Sequence, residues 1–590
     1  MYIENINLPK DIKKLSVEQL SVLAEEVRTA LIRKLSEHGG HIGPNLGMVE
    51  TTIALHYVFN SPIDKIVFDV SHQSYVHKML TGRMAAFLDP AKYDDVTGYT
   101  NPDESEHDFF TIGHTSTSVS LAMGLAKGRD LTGGKENIIA VIGDGSLSGG
   151  EALEGLNNAA MLGSNMIIIV NDNDQSIAEN HGGLYKGLKE LRDTNGESPD
   201  NIFKAMGLEY YYLGDGHDVS ALIKLFTSVK DIDHAVVLHI HTIKGKGLKY
   251  AEENKEYWHA GGPFHIEDGS PKGPGWPVNE TVRESVLDLI EKRSDVVAIT
   301  AGTPSVIGFT EDYRKRAGKQ FVDVGIAEEH AVAMASGIAR NGGTPIFGVF
   351  SPFLQRTYDQ LSSDLCLNNN PAVIMVFMAS VYGMNSNTHL GIYDIPMISH
   401  IPNLVYLAPT SKEEYLAMFK YATTQKAHPI AIRIPMMMPE TGIEDTTDYS
   451  LLNKYQVVRK GSSVAIIALG DFFELGVQIA DKILTGNDVT LINPKFITGI
   501  DEELLECLKT DHKLVLTLED GIVEGGFGQT IASFYGLSDM KVKNYGIKKS
   551  FPTDFRPEEL MRENGLSVEQ IVEDIKSVCS GISKKDENSE

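Results

Sequence analysis

The sequence predicts an α/β protein made of three doubly wound α/β domains in series. Three observations predict it. Apolar runs of strand length alternate with helical segments from Lys65 to Leu518. Two stretches rich in Gly and Pro interrupt the alternation, Ala260–Pro277 and Pro435–Pro439, the second followed by acidic residues. A chain of 590 residues with 42% hydrophobic content is long enough for roughly three to five domains. The expected divisions are residues 1–265, 285–440 and 450–582.

The elements follow in order. Val17 to Leu35 reads as an amphipathic helix capped by Ser16. Strands are expected at Lys65–Val70, Ile138–Ile142, Met166–Val170 and Ala235–Ile240. Such unbroken apolar runs suit a parallel sheet buried on both faces. Ala260–Pro277 reads as a linker. A second series holds Val296–Thr300, Gln320–Val324, Thr344–Val349, Ala372–Phe377 and Leu404–Ala408, and a third Ser463–Ala468, Asp488–Ile492 and Lys513–Leu518. The residues from Ser583 to Glu590 read as a disordered tail. No short repeat of solenoid type is present.

Composition narrows the function classes. The formal net charge is −27, which disfavours nucleic acid or an anionic membrane as partner. No apolar run reaches ~18 residues, so no transmembrane helix is expected, and the N-terminus has no signal-peptide pattern. Three cysteines, Cys366, Cys507 and Cys579, lie far apart and fit a reducing cytoplasm. None joins a His cluster with zinc spacing.

The chemistry lies in two paired segments. Ile138–Ser146 is an apolar run ending in Gly143-Asp-Gly145-Ser146, and Ile167–Asp174 is another ending in Asn171-Asp-Asn173-Asp174. Asp144 and Asn173 are about one strand–helix–strand crossover apart. Parallel strands would bring both polar ends to one sheet edge, where open α/β sheets bind ligands. A carboxylate and an amide oxygen there suit a hard cation such as Mg²⁺, and Gly145 permits close approach of a phosphate. The dinucleotide fingerprint fails because position 148 is Ser, and no Gly-x-x-x-x-Gly-Lys-Ser/Thr loop occurs. A Gly-Asp-Gly alone could be a plain turn; the paired spacing argues for a metal–diphosphate site.

The two segments resemble the thiamin diphosphate motif of the transketolase superfamily. His41–Gly47, Phe68–Gln73, Gly113–Ser118, Asp323–His330, Phe353–Asp359 and Thr388-His389 resemble the 1-deoxy-D-xylulose-5-phosphate synthase family. The resemblance runs from about Leu15 to about Ile575. It implies a transketolase-like thiamin diphosphate fold, a homodimer, and the cofactors thiamin diphosphate and Mg²⁺. It also implies roles. Asp144, Asn173 and the carbonyl of Gln175 would hold the metal. His72, Gly113, His114, Thr115, Gly145 and Ser146 would line the diphosphate and thiazolium side, and Lys244 would help hold anionic groups. Phe353 would stack on the aminopyrimidine. Glu328 would hydrogen-bond the pyrimidine ring nitrogen, which calls for a buried carboxyl with a raised pKa. The plainer reading, an acidic residue in the first turn of a helix, suits Glu329 better. His41 and His389 would transfer protons or contact substrate oxygens, and His259 and Arg356 would face the substrate.

Several positions depart from that family. Two arginines that grip the phosphate of glyceraldehyde 3-phosphate are replaced by Met378 and Met436, an Asp by Asn385 and a Tyr by Phe350. An Arg of the first domain becomes Pro102, a cofactor-contacting Tyr becomes Leu248, and the segment after Asn173 is shortened. Only Arg356 remains of the arginines. Three functions are therefore weighed. One is the family's carboligation of decarboxylated pyruvate with glyceraldehyde 3-phosphate, its phosphate held by groups such as Lys244 or Arg356. The second is a related transferase with a less anionic aldehyde acceptor. The third is a non-catalytic paralogue, opposed by intact Glu328, Asp144 and Asn173.

Overall fold

A computed structural model describes residues 1–273, 279–383, 386–483, 489–553 and 556–587, with side chains up to residue 578. It holds three sheets. The first contains β1 (Lys65–Phe68), β2 (Ile138–Gly143), β3 (Met166–Asp172), β4 (Glu209–Leu213) and β5 (Ala235–His241), in the order β1-β2-β3-β5-β4. Its pairs are all parallel. The second contains β6 (Val296–Thr300), β7 (Phe321–Asp323), β8 (Thr344–Phe350), β9 (Val373–Phe377), β10 (Val405–Leu407) and β11 (Ile430–Arg433), ordered β10-β11-β9-β8-β6-β7. The third contains β12 (Gln456–Arg459), β13 (Ser463–Ala468), β14 (Val489–Asn493), β15 (His512–Ile522) and β16 (Lys541–Ile547), ordered β12-β14-β13-β15-β16. The chain divides into two compact units, Met1–Val278 with Asp323–Ala327, and Asn279–Val322 with Glu328–Glu590. The second unit holds the third sheet as well as the second.

The apolar runs are explained by burial on both faces. Ile138, Ala140, Ile142, Ile168 and Val170 pack into one core, and Ile139, Val141, Ile167 and Ile169 into the core on the opposite face. Each fully buried Val or Ile contributes about 1.5–3 kcal/mol. The helix at Val17–His38 starts with a capping box, Ser16 accepting from the Gln19 N–H while Gln19 reaches back.

Four strands escape the apolar-run reading. β4, β12 and β16 are sheet edges with partly exposed residues. β11 is only four residues long and ends in the buried Arg433. β1 stops at Phe68 because Val70 and Ser71 take left-handed φ of 57° and 67°.

Two expectations are corrected. The segment from Ala260 is not a free linker over its described part. Gly40 and Gly261 exchange backbone hydrogen bonds at 2.8 and 3.0 Å, and the Phe264 N–H donates to the Ser36 carbonyl at 3.0 Å. Gly39, at φ +81°, allows this approach, since a Cβ there would sit 2.6 Å from the Gly261 oxygen. Residues 274–278 of that segment lie outside the described residues. The tail from Ser583 is backbone helix to Glu587, part of Val568–Glu587, and residues 588–590 lie outside the described residues.

Candidate active site

In the first unit, β2 and β3 end level, Gly143 pairing with Asn171. Asp144 opens the turn after β2 and is buried. Its Oδ2 accepts from the Gln175 N–H at 3.1 Å and from Asn180 Nδ2 at 2.7 Å. Burial, and then the like charge of Asp172, push this carboxyl up to about 7, a cost that a bound cation would remove. Asn173 is buried, and its Oδ1 makes no hydrogen bond. Lys255 Nζ donates to the Asn173 carbonyl at 3.2 Å. Gln175, two residues after Asn173, is thus bonded to Asp144. Among the described residues no group of three His, Cys, Asp or Glu could hold a metal. The candidate donors are instead one carboxylate, one amide and one carbonyl, a hard-cation set whose remaining positions a diphosphate can fill.

The neighbouring loops are tied to these residues. A Cβ on Gly145 would lie 2.8 Å from Ser176 Oγ, so only glycine lets the loops meet. Ser116 Oγ donates to the Ser146 carbonyl at 2.8 Å, joining the Gly113-His114-Thr115 loop to the turn of Gly145 and buried Ser146. Asp69 shapes the same loop, accepting from the N–H groups of Ser116 and Ser118 at 2.9 Å each.

Three predicted histidines converge. The His41 ring lies 5.0 Å from His72 and 5.8 Å from His259, and His72 stacks on His259 at 5.3 Å. Asn45 Nδ2 donates to the carbonyls of His41 and His72, both at 2.7 Å, and so fixes their loops. Lys244 is buried; its Nζ donates to the Ser176 carbonyl and lies 3.0 Å from His259 Nδ1. Burial, then the Lys244 charge, lower His41 to about 4 and His259 well below its usual value. Both rings are therefore neutral at pH 7. Burial also lowers Lys244 to about 7.

In the second unit, Glu328 begins the helix Glu328–Arg340 and is only 4% exposed. Its Oε2 makes no hydrogen bond, and Arg356 Nη1 lies 3.8 Å away. Burial raises this carboxyl to about 7 despite the Arg356 charge. Phe353 meets the His389 ring edge-to-face at 5.6 Å and Phe350 at 6.1 Å. His389 Nδ1 lies 3.0 Å from both Ser386 Oγ and Thr388 Oγ1. Met378 has a left-handed φ of 53°. The N–H groups of Met436 and Met437 donate to Asp471 at 3.0 and 3.3 Å. Pro102 is exposed and Leu248 buried; Asn385 lies outside the described residues. Asn45, Asp69 and Asn180 were missed as site residues, because each acts through hydrogen bonds to distant parts of the chain.

Residues 3–198 and 193–242 match the family model described as 1-deoxy-D-xylulose-5-phosphate synthase. Residues 277–439 match the transketolase pyrimidine-binding domain, and 453–571 the transketolase C-terminal domain. The 1-deoxy-D-xylulose-5-phosphate synthase of Carboxydothermus hydrogenoformans is 36% identical over 98% of this chain and 99% of its own length. The chain belongs to the 1-deoxy-D-xylulose-5-phosphate synthase family. Synthases of that name from Alkaliphilus oremlandii and Shouchella clausii are 37% and 38% identical, each over 98% of this chain and 100% and 99% of their own lengths. Family membership makes it a thiamin diphosphate-dependent transferase.

Proposed function

We propose that this chain joins decarboxylated pyruvate to glyceraldehyde 3-phosphate, giving 1-deoxy-D-xylulose 5-phosphate, with thiamin diphosphate and Mg²⁺ as cofactors. Similarity along the whole length to relatives of that name favours this over a different acceptor. The observation that carries the reading is Glu328, a buried carboxyl whose Oε2 makes no hydrogen bond. Such an oxygen costs about 1–3 kcal/mol unless a ligand satisfies it. The test is a panel of phosphorylated and unphosphorylated aldehydes with pyruvate, products identified by mass. Product only from unphosphorylated acceptors would overturn the assignment.

When bound, thiamin diphosphate supplies an acidic thiazolium carbon and an electron sink for decarboxylating a 2-oxo acid. Glu328 would hold a proton at Oε2 against a ring nitrogen of its pyrimidine, and Phe353 would pack on that ring. Asp144, Asn173 and the Gln175 carbonyl would hold Mg²⁺ against the diphosphate, with Gly145, Ser146, Gly113, His114 and Thr115 beside it. Neutral His259 would contact a substrate oxygen, with neutral His41 and the His72 ring beside it. His389 would hold or move a proton on the substrate, and Arg356 would attract its phosphate. We also propose a cytoplasmic homodimer, a setting that three scattered cysteines fit.

Asp144→Asn should weaken Mg²⁺–thiamin diphosphate binding more than about 100-fold, beyond what losing an indirect partner costs. Calorimetric titration checks this, and unchanged affinity would remove Asp144 from the metal set. Met378→Arg should raise kcat/KM for glyceraldehyde 3-phosphate about 10-fold or more, the value of one charged contact. Met378 already occupies a left-handed conformation, so the change adds no backbone strain. Met436→Arg is the weaker test, because the Asp471 carboxylate holding that loop would compete for the new guanidinium. Steady-state kinetics that do not move with Met378→Arg would mean the phosphate is held elsewhere.

A further inference from the structure

The shortened segment after Asn173 contains a helix, Gly183–Asp193, that reaches both halves of the diphosphate motif. Tyr185 Oη donates to the Gly145 carbonyl at 3.1 Å. Arg192 Nη1 donates to both carboxylate oxygens of Asp172 at 2.9 and 2.6 Å, and Arg192 Nη2 donates to Asp174 Oδ1 at 2.7 Å. Asp172 ends β3 and its side chain is fully buried. On its other side His239 Nε2 lies 2.8 Å from Oδ2, and Tyr210 Oη lies 2.8 Å from His239 Nδ1. A buried carboxylate demands such partners.

Between the two carboxylates that Arg192 grips lies Asn173. Asp174 is left-handed at φ 60°, and its N–H donates to Asp172 Oδ1 at 3.1 Å. That turn sends the Gln175 N–H to Asp144 and leaves Asn173 Oδ1 with no hydrogen bond in a buried position. An aspartate in this conformation needs its surroundings to hold it, and the guanidinium bonded to residues 172 and 174 does so.

We propose that Arg192 is a positioning residue for the cation–diphosphate site: it clamps Asp172 and Asp174 so that Asn173 and Gln175 are set for a divalent cation before the cofactor arrives. The inference rests on the cofactor assignment above. In this arrangement Arg192 acts only through its bonds to Asp172 and Asp174. Its loss acts on affinity and leaves the chemistry at saturation unchanged.

The experiment titrates Mg²⁺ with thiamin diphosphate into full-length wild type, Arg192→Met, Arg192→Lys and Asp174→Ala, and records the melting of each apo-protein. Arg192→Met should weaken binding about 10–100-fold, the usual cost of losing a residue that orients metal ligands. Its kcat should return to near the wild-type value at saturating cofactor. Arg192→Lys keeps the charge but not the fork and should fall between. Asp174, 61% exposed, loses only the outer half of the clamp. Its alanine variant should bind about 3–5-fold more weakly, the upper range of an exposed ion pair, with an unchanged apo melt. That variant decides the matter if Arg192→Met does not fold. Affinities within 2-fold of wild type in the folded variants, or a kcat defect that saturation does not repair, would overturn the clamp. A wild type that binds no thiamin diphosphate would instead overturn the functional assignment.

Discussion

Glu328→Ala should lower turnover by about 10²–10⁴-fold, the usual contribution of a positioned proton-transfer group, while thiamin diphosphate and Mg²⁺ still bind measurably. The metal and diphosphate contacts assigned above all come from other residues. The same substitution should leave the apo-protein as stable as wild type or more so, because it removes a buried carboxyl oxygen that makes no hydrogen bond. A purely structural glutamate would give the opposite pair of results. Retained activity would end the assignment, and a large fall in melting temperature would make Glu328 structural.

The pH dependence has a definite sign. Burial raises Glu328 to about 7 from its ordinary 4.5. Below 4.5 both folded and unfolded chains carry the proton. As pH rises from 4.5 to about 7, only the unfolded chain releases it, so the folded state loses stability through that window. Glu328→Gln removes this contribution. Between pH 4.5 and 7 its melting temperature should therefore fall less steeply than that of wild type. Glu519 and Asp471, also raised by burial, to about 8 and 6, remain in both proteins, so the difference between the two curves isolates residue 328.

The sequence makes long strands buried on both faces, such as β2 and β3, legible and the partly exposed edges β4, β12 and β16 obscure, for one physical reason. β2 and β3 are buried on both faces, so their apolar runs are continuous. β4, with its Tyr-rich sequence, and β16, with its lysines, face solvent in part and lose that signal. Asp144, Asn173 and Glu328 stand out because each follows an apolar strand in a recognisable cluster. Asn45 follows no strand, and Asp69, though it follows β1, is given no role by the motif it sits in. Asn45 works across a separation of 27 residues and Asp69 across 47, and nothing local marks an asparagine or aspartate for such work. The segment from Ala260 misleads because Gly and Pro signal flexibility in general. Here Gly261 serves close backbone approach to Gly40, beside the histidine cluster.

Arg433→Met should destabilise the second unit by about 3–5 kcal/mol, the cost of leaving buried carboxylates without their cation. Arg433 ends β11 and is 3% exposed. Its Nε donates to Asp394 Oδ2 at 2.8 Å, its Nη2 to Asp394 Oδ1 at 3.4 Å, and its Nη1 to Asp520 on β15. Tyr406 Oη adds a 2.5 Å bond to Asp394. One guanidinium therefore joins the second sheet to the third. Without it, Asp394 and Asp520 would face each other in low dielectric and be driven to protonate. The folded variant would then bind protons that its unfolded chain has released, so its stability would recover as pH falls. Asp520→Asn in the Arg433→Met background should restore part of the loss at neutral pH by removing one buried charge. Calorimetry should show the affected transition falling by roughly 10 °C; a shift under about 2 °C would show that the buried charges are relieved in another way. If Met436 lines the acceptor site as the family resemblance implies, the consequence reaches that site, because Met436 lies three residues beyond Arg433 on a loop held by Asp471, itself pushed up by burial and by Asp520. Loosening Arg433 frees the loop that carries Met436. Any Arg433 variant that folds should thus show a raised KM for the aldehyde before it shows a lowered kcat.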